Sequence, residues 1–184
     1  MRKLTVVVLP ILLLTAAALY AHQPDKSKRP SPPGTASVTF ADGKKITIDY
    51  SRPKINDPKT GQPRKIMGGL VPYDKEWRTG ANDATTFVTD TNVKVGDLSV
   101  PAGNYTLYTI PGETEWTIII NKQTGQWGTV YNQDQDLGRT KVKSGKTAST
   151  VDQFTISFDP AKGKSTTLNL QWENTKVSVP ITEE

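Results

Sequence analysis

From residue 36 onward, apolar and polar residues alternate with a period of two over most of the chain. This period is typical of β-strands that bury one face. The alternation is clear over residues 38–40 and 46–50, and the Asp42-Gly43 pair between them favours a tight turn. The pattern therefore predicts a β-hairpin at the start of the folded region.

Three further alternating segments lie near the C-terminal end, at 154–158, 168–172 and 177–181. They are separated by residues 159–163 (Asp-Pro-Ala-Lys-Gly) and 173–175 (Glu-Asn-Thr), which are rich in turn-forming types. The pattern predicts an antiparallel meander of three strands with one apolar and one polar face.

The middle of the chain predicts a hairpin of a different kind. Residues 105–110 and 116–120 carry large side chains at consecutive positions, on both faces of each strand, and 111–114 forms the turn. Either both faces of this hairpin are covered, or one face is an aromatic surface that binds a ligand. Coverage on both sides is favoured, because aromatic and β-branched residues fit strands for structural reasons alone.

The strand pattern as a whole indicates an all-β protein. Further short strands are predicted at 85–89, 93–95, 98–100 and 139–143. About ten short strands separated by regular turn signals favour an antiparallel β-sandwich of jelly-roll type, with a small barrel as the alternative. We expect one such domain over residues 36–182, since no second linker divides this region.

The N-terminus predicts export. Arg2 and Lys3 precede an apolar run at 4–14, and small residues follow up to Ala21, which is the order of a signal peptide. A retained membrane anchor is the alternative, but the run is shorter than the ~20 apolar residues of a membrane span. We expect a periplasmic or extracellular protein with no stable membrane insertion after cleavage. Residues 22–35, rich in proline, are predicted to form a disordered leader.

Composition removes several classes of partner and chemistry. The chain has 23 Lys and Arg against 18 Asp and Glu, and loss of residues 1–21 leaves 21 against 18, a net charge of +3. No stretch combines clustered basic residues with aromatic ones, so nucleic acid is not an expected partner. There is no cysteine, which excludes disulfides, thiolate metal sites and catalytic cysteine.

Few residues suggest catalysis. His22 is the one histidine of the chain, and cleavage after Ala21 would leave it at the terminus, so a Ser-His-Asp triad is not expected. Glu113 and Glu115 are a weak candidate for the carboxylate pair of a polysaccharide hydrolase. Residues 132–136 space oxygen side chains as calcium loops do, but the glycine and glutamate of an EF-hand are missing. No catalytic residue, metal or cofactor is predicted.

The segment 66–84 is the most informative part of the chain, because it lacks strand alternation but is rich in large side chains. Within six residues it places an aromatic ring, a guanidinium, an amide and a carboxylate, a set that suits a sugar or a small carboxylate. The candidate ligand-binding residues are Arg52, Tyr73, Trp77, Arg78, Asn82 and Asp83. The alternative, which we favour slightly, is packing: Arg78 pairs with Asp83, and Trp77 closes the end of the sandwich.

These blocks also resemble a known family. The sequence at 50–53, 68–73, 77–82, 101–105, 110–113, 121–122 and 126–128 resembles the domain of unknown function 2911 family, over about 36–181. The Trp-Arg-Thr-Gly-Ala-Asn block at 77–82 is the most specific part. Asp83 departs from the family pattern, in which glutamate is commoner. The resemblance implies export and β-structure, and it supplies no reaction and no catalytic residue.

Three functions remain open from the sequence. The first is a non-enzymatic exported module that binds a ligand or a partner, and the second is an Asp/Glu-dependent hydrolase acting on envelope or extracellular polysaccharide. The third is a purely structural envelope protein. A hydrolase needs two buried, convergent carboxylates, a binding module needs a cleft, and a structural protein predicts no pocket near Trp77.

Overall fold

The computed structural model describes residues 25–184. The predicted signal peptide, His22 and the first part of the predicted leader lie outside the described residues. Within residues 25–184 the helical structure consists of two short 3₁₀ turns, Lys26–Lys28 and Gln133–Gln135. This part of the chain has no helix with the length and apolar character of a membrane span.

Within residues 25–184, nine strands form one antiparallel sheet. They are β1 (Pro33–Thr39), β2 (Lys45–Ser51), β3 (Thr85–Thr89), β4 (Val93–Val95), β5 (Leu98–Val100), β6 (Gly103–Ile110), β7 (Glu115–Asn121), β8 (Asp136–Phe158) and β9 (Ser165–Glu183). The order in the sheet is β1-β2-β3-β6-β7-β8-β9-β4-β5, and it does not close into a barrel. The all-β prediction is confirmed and the barrel alternative is wrong. The jelly-roll sandwich stays a prediction.

The first hairpin forms as the alternation predicts. β1 and β2 pair in continuous register from Pro33 with Ser51 to Thr39 with Lys45. Gly43 closes the turn with a φ of 89°, a left-handed conformation that glycine adopts without steric cost. The inward residues of β2, such as Ile48, are fully buried. Strand β1 begins at Pro33, three residues before the predicted domain boundary at residue 36.

The predicted C-terminal meander is wrong in one respect. β9 runs for 19 residues straight through the predicted turn at 173–175. Glu173 takes a φ of 53° there, and the β8–β9 register shifts where Val151 pairs with it. Residues of this type signal an irregular backbone, but here the irregularity is a bulge that bends the strand instead of reversing it.

The middle hairpin is covered on both faces, as favoured from the sequence. One face of β6 and β7 contributes Leu107 and Trp116 to the main core, which draws on all nine strands. The other face forms a second cluster of Ala84, Tyr108 and Ile119, packed against Tyr131. The hairpin therefore lies between two layers of apolar contacts and does not present an aromatic surface.

The chain after β2 turns toward β8. Ile55 N donates to the carbonyl of Asp152 at 2.8 Å, and Phe154 N donates to the carbonyl of Pro53 at 2.9 Å. These bonds hold the loop 54–64 beside β8, at the edge of the main core. The long connection from β2 to β3, residues 52–84, thus lies across this edge and forms the site described below.

Candidate functional site

Trp77 fixes the connecting segment to the sheet. Its backbone exchanges two hydrogen bonds with Thr109 of β6, at 2.7 and 2.9 Å. The indole stacks on Trp172 with centroids 6.1 Å apart and donates from Nε1 to the carbonyl of Gly80 at 3.0 Å. Because the residue is only 9% exposed, its ring closes the core and does not offer an open aromatic face.

The backbone after Trp77 is strained. Thr79 and Asn82 take φ values of 52° and 59°, in the left-handed region that a β-branched residue such as threonine avoids. Thr79 is fully buried, and its carbonyl accepts a 2.9 Å hydrogen bond from Thr85 Oγ1. Strain of this kind persists where the surroundings hold it, and it is concentrated at functional sites. Arg78 lies directly before this strained segment.

A cleft of about 560 Å³ opens beside this segment, and we call it the large cleft. Its walls come mainly from the loop 54–64, the segment 77–82, and the N-terminal residues Pro30 and Ser31. Trp172 of β9 also borders it. A volume of this size lies within the range of about 300–1,000 Å³ that small-molecule sites occupy.

Arg78 lines the large cleft and has no partner in the described part of the chain. Its Nε is buried without a hydrogen-bond acceptor there. Burial lowers the pKa of Arg78, and the nearby Tyr108 opposes this shift. Arg78 also lines a second cavity of about 160 Å³, the small cavity, together with Tyr108 and Tyr131. The residue therefore forms a wall shared by both spaces.

The Arg78 side chain packs against Gly128. The aliphatic stem of Arg78 crosses the face of Gly128 so closely that any Cβ at this position would collide with it. The same Cβ would lie 2.7 Å from the carbonyl oxygen of Asn82, which accepts a 3.0 Å hydrogen bond from Gly128 N. A side chain of any size at residue 128 would displace Arg78.

The expected pair of Arg78 with Asp83 is not formed. Asp83 binds instead to Lys26 Nζ at 3.0 Å and to Arg29 Nη1 at 2.9 Å. Desolvation raises the pKa of Asp83, but the hydrogen bonds and charges of Lys26 and Arg29 outweigh it, so the net pKa is lowered. The acid that was expected to neutralise Arg78 is thus committed to the N-terminal segment.

We call residues 25–32 the strap, because they cross the site before β1 begins. The guanidinium of Arg29 lies 5.9 Å above the ring centroid of Trp127, which is half exposed. Asn82 Nδ2 donates to the carbonyl of Ser31 at 3.1 Å and to Ser51 Oγ at 3.3 Å. This part of the predicted leader makes specific contacts and contributes one wall of the large cleft.

The structure brings together half of the predicted site residues. Trp77, Arg78 and Asn82 line the large cleft, whereas Asp83 lines a separate cavity under the strap. Arg52 lies outside these cavities and packs its stem on Gly34, and Tyr73 packs its ring on Gly68.

Sequence reasoning missed the opposite rim of the cleft. Asp57 accepts hydrogen bonds from the backbone N–H of Lys59 at 2.8 Å and of Thr60 at 3.2 Å, and these bonds lower its pKa. Arg64 Nη2 donates to the carbonyl of Lys54 at 2.7 Å, and its Nη1 lies 3.9 Å from the carboxylate of Asp57. The Asp-Pro-Lys-Thr-Gly sequence at 57–61 is a turn signal that would have placed this rim.

The structure does not bury the two glutamates that the sequence offered as a carboxylate pair. Glu113 and Glu115 are both exposed, and Glu115 binds Lys141 Nζ at 3.0 Å. Residues 25–184 contain no group of three or more His, Cys, Asp or Glu side chains placed to hold a metal ion. In the loop 132–136, Asp136 is engaged by Tyr131, whose hydroxyl donates to it at 2.8 Å.

Comparison with known proteins identifies the family. A family model for proteins of unknown function, DUF2911, matches residues 31–181. No curated protein and no solved structure matches the chain. The match covers the strap from Ser31, the whole connecting segment and all the strands up to β9. The chain belongs to the DUF2911 family of proteins of unknown function.

Proposed function

We propose that this protein is an exported, non-enzymatic module that binds a small polar ligand in the large cleft. The observation that carries the proposal is Arg78, which lines the cleft and forms no hydrogen bond or ion pair in the described chain. Its Nε is buried without an acceptor, and leaving a donor of a charged group unpaired is costly. Because Nε has no accessible surface of its own, a ligand in the cleft would accept from the other guanidinium nitrogens and stabilise the same charge.

The walls of the cleft support a preformed site. The Trp77 backbone is bonded to β6, the Arg64 side chain is bonded to the loop carbonyls, and the strap is held by Asn82. Little conformational entropy remains to be lost when a ligand enters walls that are already fixed. The presence of a cleft beside Trp77 also favours binding over a purely structural role, which predicts no pocket there.

A hydrolase has less support. Asp57 and Asp152 are the acids that line the large cleft. A general acid needs a raised pKa, which burial usually provides. The pKa of Asp57 is lowered by the two backbone hydrogen bonds, so this carboxyl stays ionised and committed to its own turn. The arrangement suits a charged rim better than a proton donor.

Binding in the cleft is tested with a variant that fills it. Wild type and Ala81→Leu are titrated with neutral and acidic monosaccharides and disaccharides, and backbone amide resonances are followed by NMR. We expect the amides of Gly80 and Ala81, which line the cleft, to shift in wild type while Gly163, in a distant turn, stays constant. The larger side chain of Ala81→Leu should abolish these shifts.

The control variant is Ala148→Leu, because Ala148 is exposed on β8 and lies outside the cavities. It should bind as wild type does. Shifts that persist in Ala81→Leu, or that appear at Gly163 as strongly as at Gly80, would place binding elsewhere and refute the proposal.

Export is tested separately. Cleavage after Ala21 would give a mature chain that starts at or near His22. Mass spectrometry of the protein recovered from the periplasm or the medium should find this terminus. Recovery of the protein with residues 1–21 intact would contradict export by a cleaved signal peptide.

A further inference from the structure

We infer that the ligand of the large cleft is a small carboxylic acid, and that its carboxylate is bound by the guanidinium of Arg78. This inference rests on the proposed function and narrows it to one class of ligand. Its three supports are the unpaired guanidinium, the charge balance of the cleft lining, and the rigid seat of the Arg78 side chain.

The acids near Arg78 do not neutralise it. Asp83 is bound by Lys26 and Arg29, and Asp57 by two backbone amides and by Arg64. Glu76, which lines the small cavity, is exposed and forms no ion pair with Arg78 within 4.0 Å. In the described chain, the positive charge of Arg78 is therefore left for a group that comes from outside.

The charges around the large cleft add up to a site for one negative charge. Its lining includes three cations and two anions, a net charge of +1: Lys54, Arg64 and Arg78 against Asp57 and Asp152. Asp57 is an anion in the same lining, so it disfavours a dianion nearby. A carboxylate has a single charge and a planar pair of oxygens that matches the guanidinium fork, whereas a phosphate dianion would need further donors.

The position of the Arg78 side chain is restricted by its neighbours, which favours ligand binding. Its stem is confined against Gly128, and Gly128 is in turn bonded to the carbonyl of Asn82. A guanidinium that is already oriented loses little rotamer freedom on binding. This rigid seat distinguishes Arg78 from exposed arginine side chains that pair with anions transiently.

The experiment compares two ligands that differ at one group. Sodium glucuronate and glucose share the same ring, and only glucuronate carries a carboxylate; acetate and inorganic phosphate are added as separate arms. The Nε–Hε resonance of Arg78 reports on any change in the surroundings of its guanidinium, such as an anion bound to the terminal nitrogens. We expect glucuronate to shift it, acetate to shift it more weakly, and glucose to leave it unchanged, with the shift by glucuronate decreasing at high salt.

Two variants complete the test. Arg78→Lys keeps the charge but loses the fork, and we expect its affinity for glucuronate to fall at least about tenfold. Lys94→Ala removes an exposed cation of β4, away from the cavities, and should bind glucuronate as wild type does. This control separates the specific contact from an effect of net charge.

Several results would overturn the inference. Equal shifts of the Gly80 and Ala81 amides by glucose and glucuronate would exclude a carboxylate requirement and leave the proposed function in place. A shift of Arg78 by phosphate alone would assign another anion to the site. Unchanged affinity in Arg78→Lys, or no response of Arg78 to glucuronate or acetate, would show that the guanidinium does not hold a carboxylate.

Discussion

Among the charged residues described in the cleft lining, Arg78 is the one that has both a buried donor without an acceptor and no ion pair. We expect Arg78→Met, which keeps an aliphatic stem against Gly128 but removes the charge, to leave the free energy of unfolding within about 0.5 kcal/mol of wild type or to raise it. Urea denaturation measures this. A loss of about 3 kcal/mol or more would indicate that Arg78 has a buried partner in the fold.

Trp77, next to Arg78 in sequence, is expected to behave differently from Arg78 when it is substituted. It is 9% exposed and contacts Trp116, Phe154 and Trp172, so Trp77→Ala should cost about 3–5 kcal/mol. The same urea experiment compares it with Arg78→Met. Adjacent residues of one motif should therefore separate into a core residue and a binding residue, and similar costs for both would contradict this division.

Gly128 contacts both the side chain of Arg78 and the backbone carbonyl of Asn82. We expect Gly128→Ala to destabilise by about 1–3 kcal/mol, because its Cβ would meet the Arg78 stem and the carbonyl of Asn82. In an Arg78→Ala background the clash with the Arg78 Cδ is removed, but the close contacts with the Cβ of residue 78 and with the Asn82 carbonyl remain, so the cost should be smaller but not zero. A double-mutant cycle measures the difference, and strict additivity would show that Arg78 does not cross Gly128.

At the scale of elements, the strap is the feature that the sequence described least well. Residues 25–32 have the composition of a spacer, and several of the contacts that hold them come from residues more than 50 positions away, such as Asp83. Composition reports whether a segment can form its own core, but it cannot report a partner elsewhere in the chain. The β9 bulge was missed for a related reason, since turns and bulges use the same residue types.

The strap should make stability depend on acid pH. The pKa of Asp83 is lowered in the folded state from its ordinary value of 3.8, so its ion pairs stabilise the protein above that pH. This contribution is lost as the pH falls through the lowered folded pKa. Asp83→Asn should flatten the fall of the urea midpoint in this window, and high salt should do so in part. Asp90→Asn, at an exposed residue outside the ion pairs of the described chain, is the control and should follow wild type.

Tyr131, which lines the small cavity, should make the stability of the protein depend on alkaline pH. Burial, followed by the hydrogen bond to Asp136, raises the pKa of Tyr131 to about 12. The stability linked to its neutral hydroxyl is complete below the ordinary pKa of 10.0 and is lost as the pH rises through the folded value. An absorbance titration of phenolate should contain a late component that decreases in Tyr131→Phe; burial also raises the pKa of Tyr108, which contributes to the part that remains. A late component of unchanged size in this variant would assign it to another tyrosine.

At the scale of the whole molecule, the sequence predicted the fold class better than the site. Alternation identified the β-strands, since burial of one face acts on each strand locally. Trp77, Arg78 and Asn82 were found because they are close in sequence. Asp57, Arg64 and Ser31 were missed because the sheet brings them to the cleft from two other parts of the chain, and their distance in sequence hides that proximity.

Binding of an acidic ligand in the large cleft through Arg78 should be visible in the stability of the folded protein. A ligand that binds the folded state raises the unfolding midpoint. The urea midpoints of wild type and Arg78→Met are compared with glucuronate, with glucose and with neither. We predict that glucuronate raises the urea midpoint of wild type and leaves the midpoint of Arg78→Met unchanged, and that glucose changes neither. An equal rise in both proteins, or the same rise with glucose, would contradict the claim.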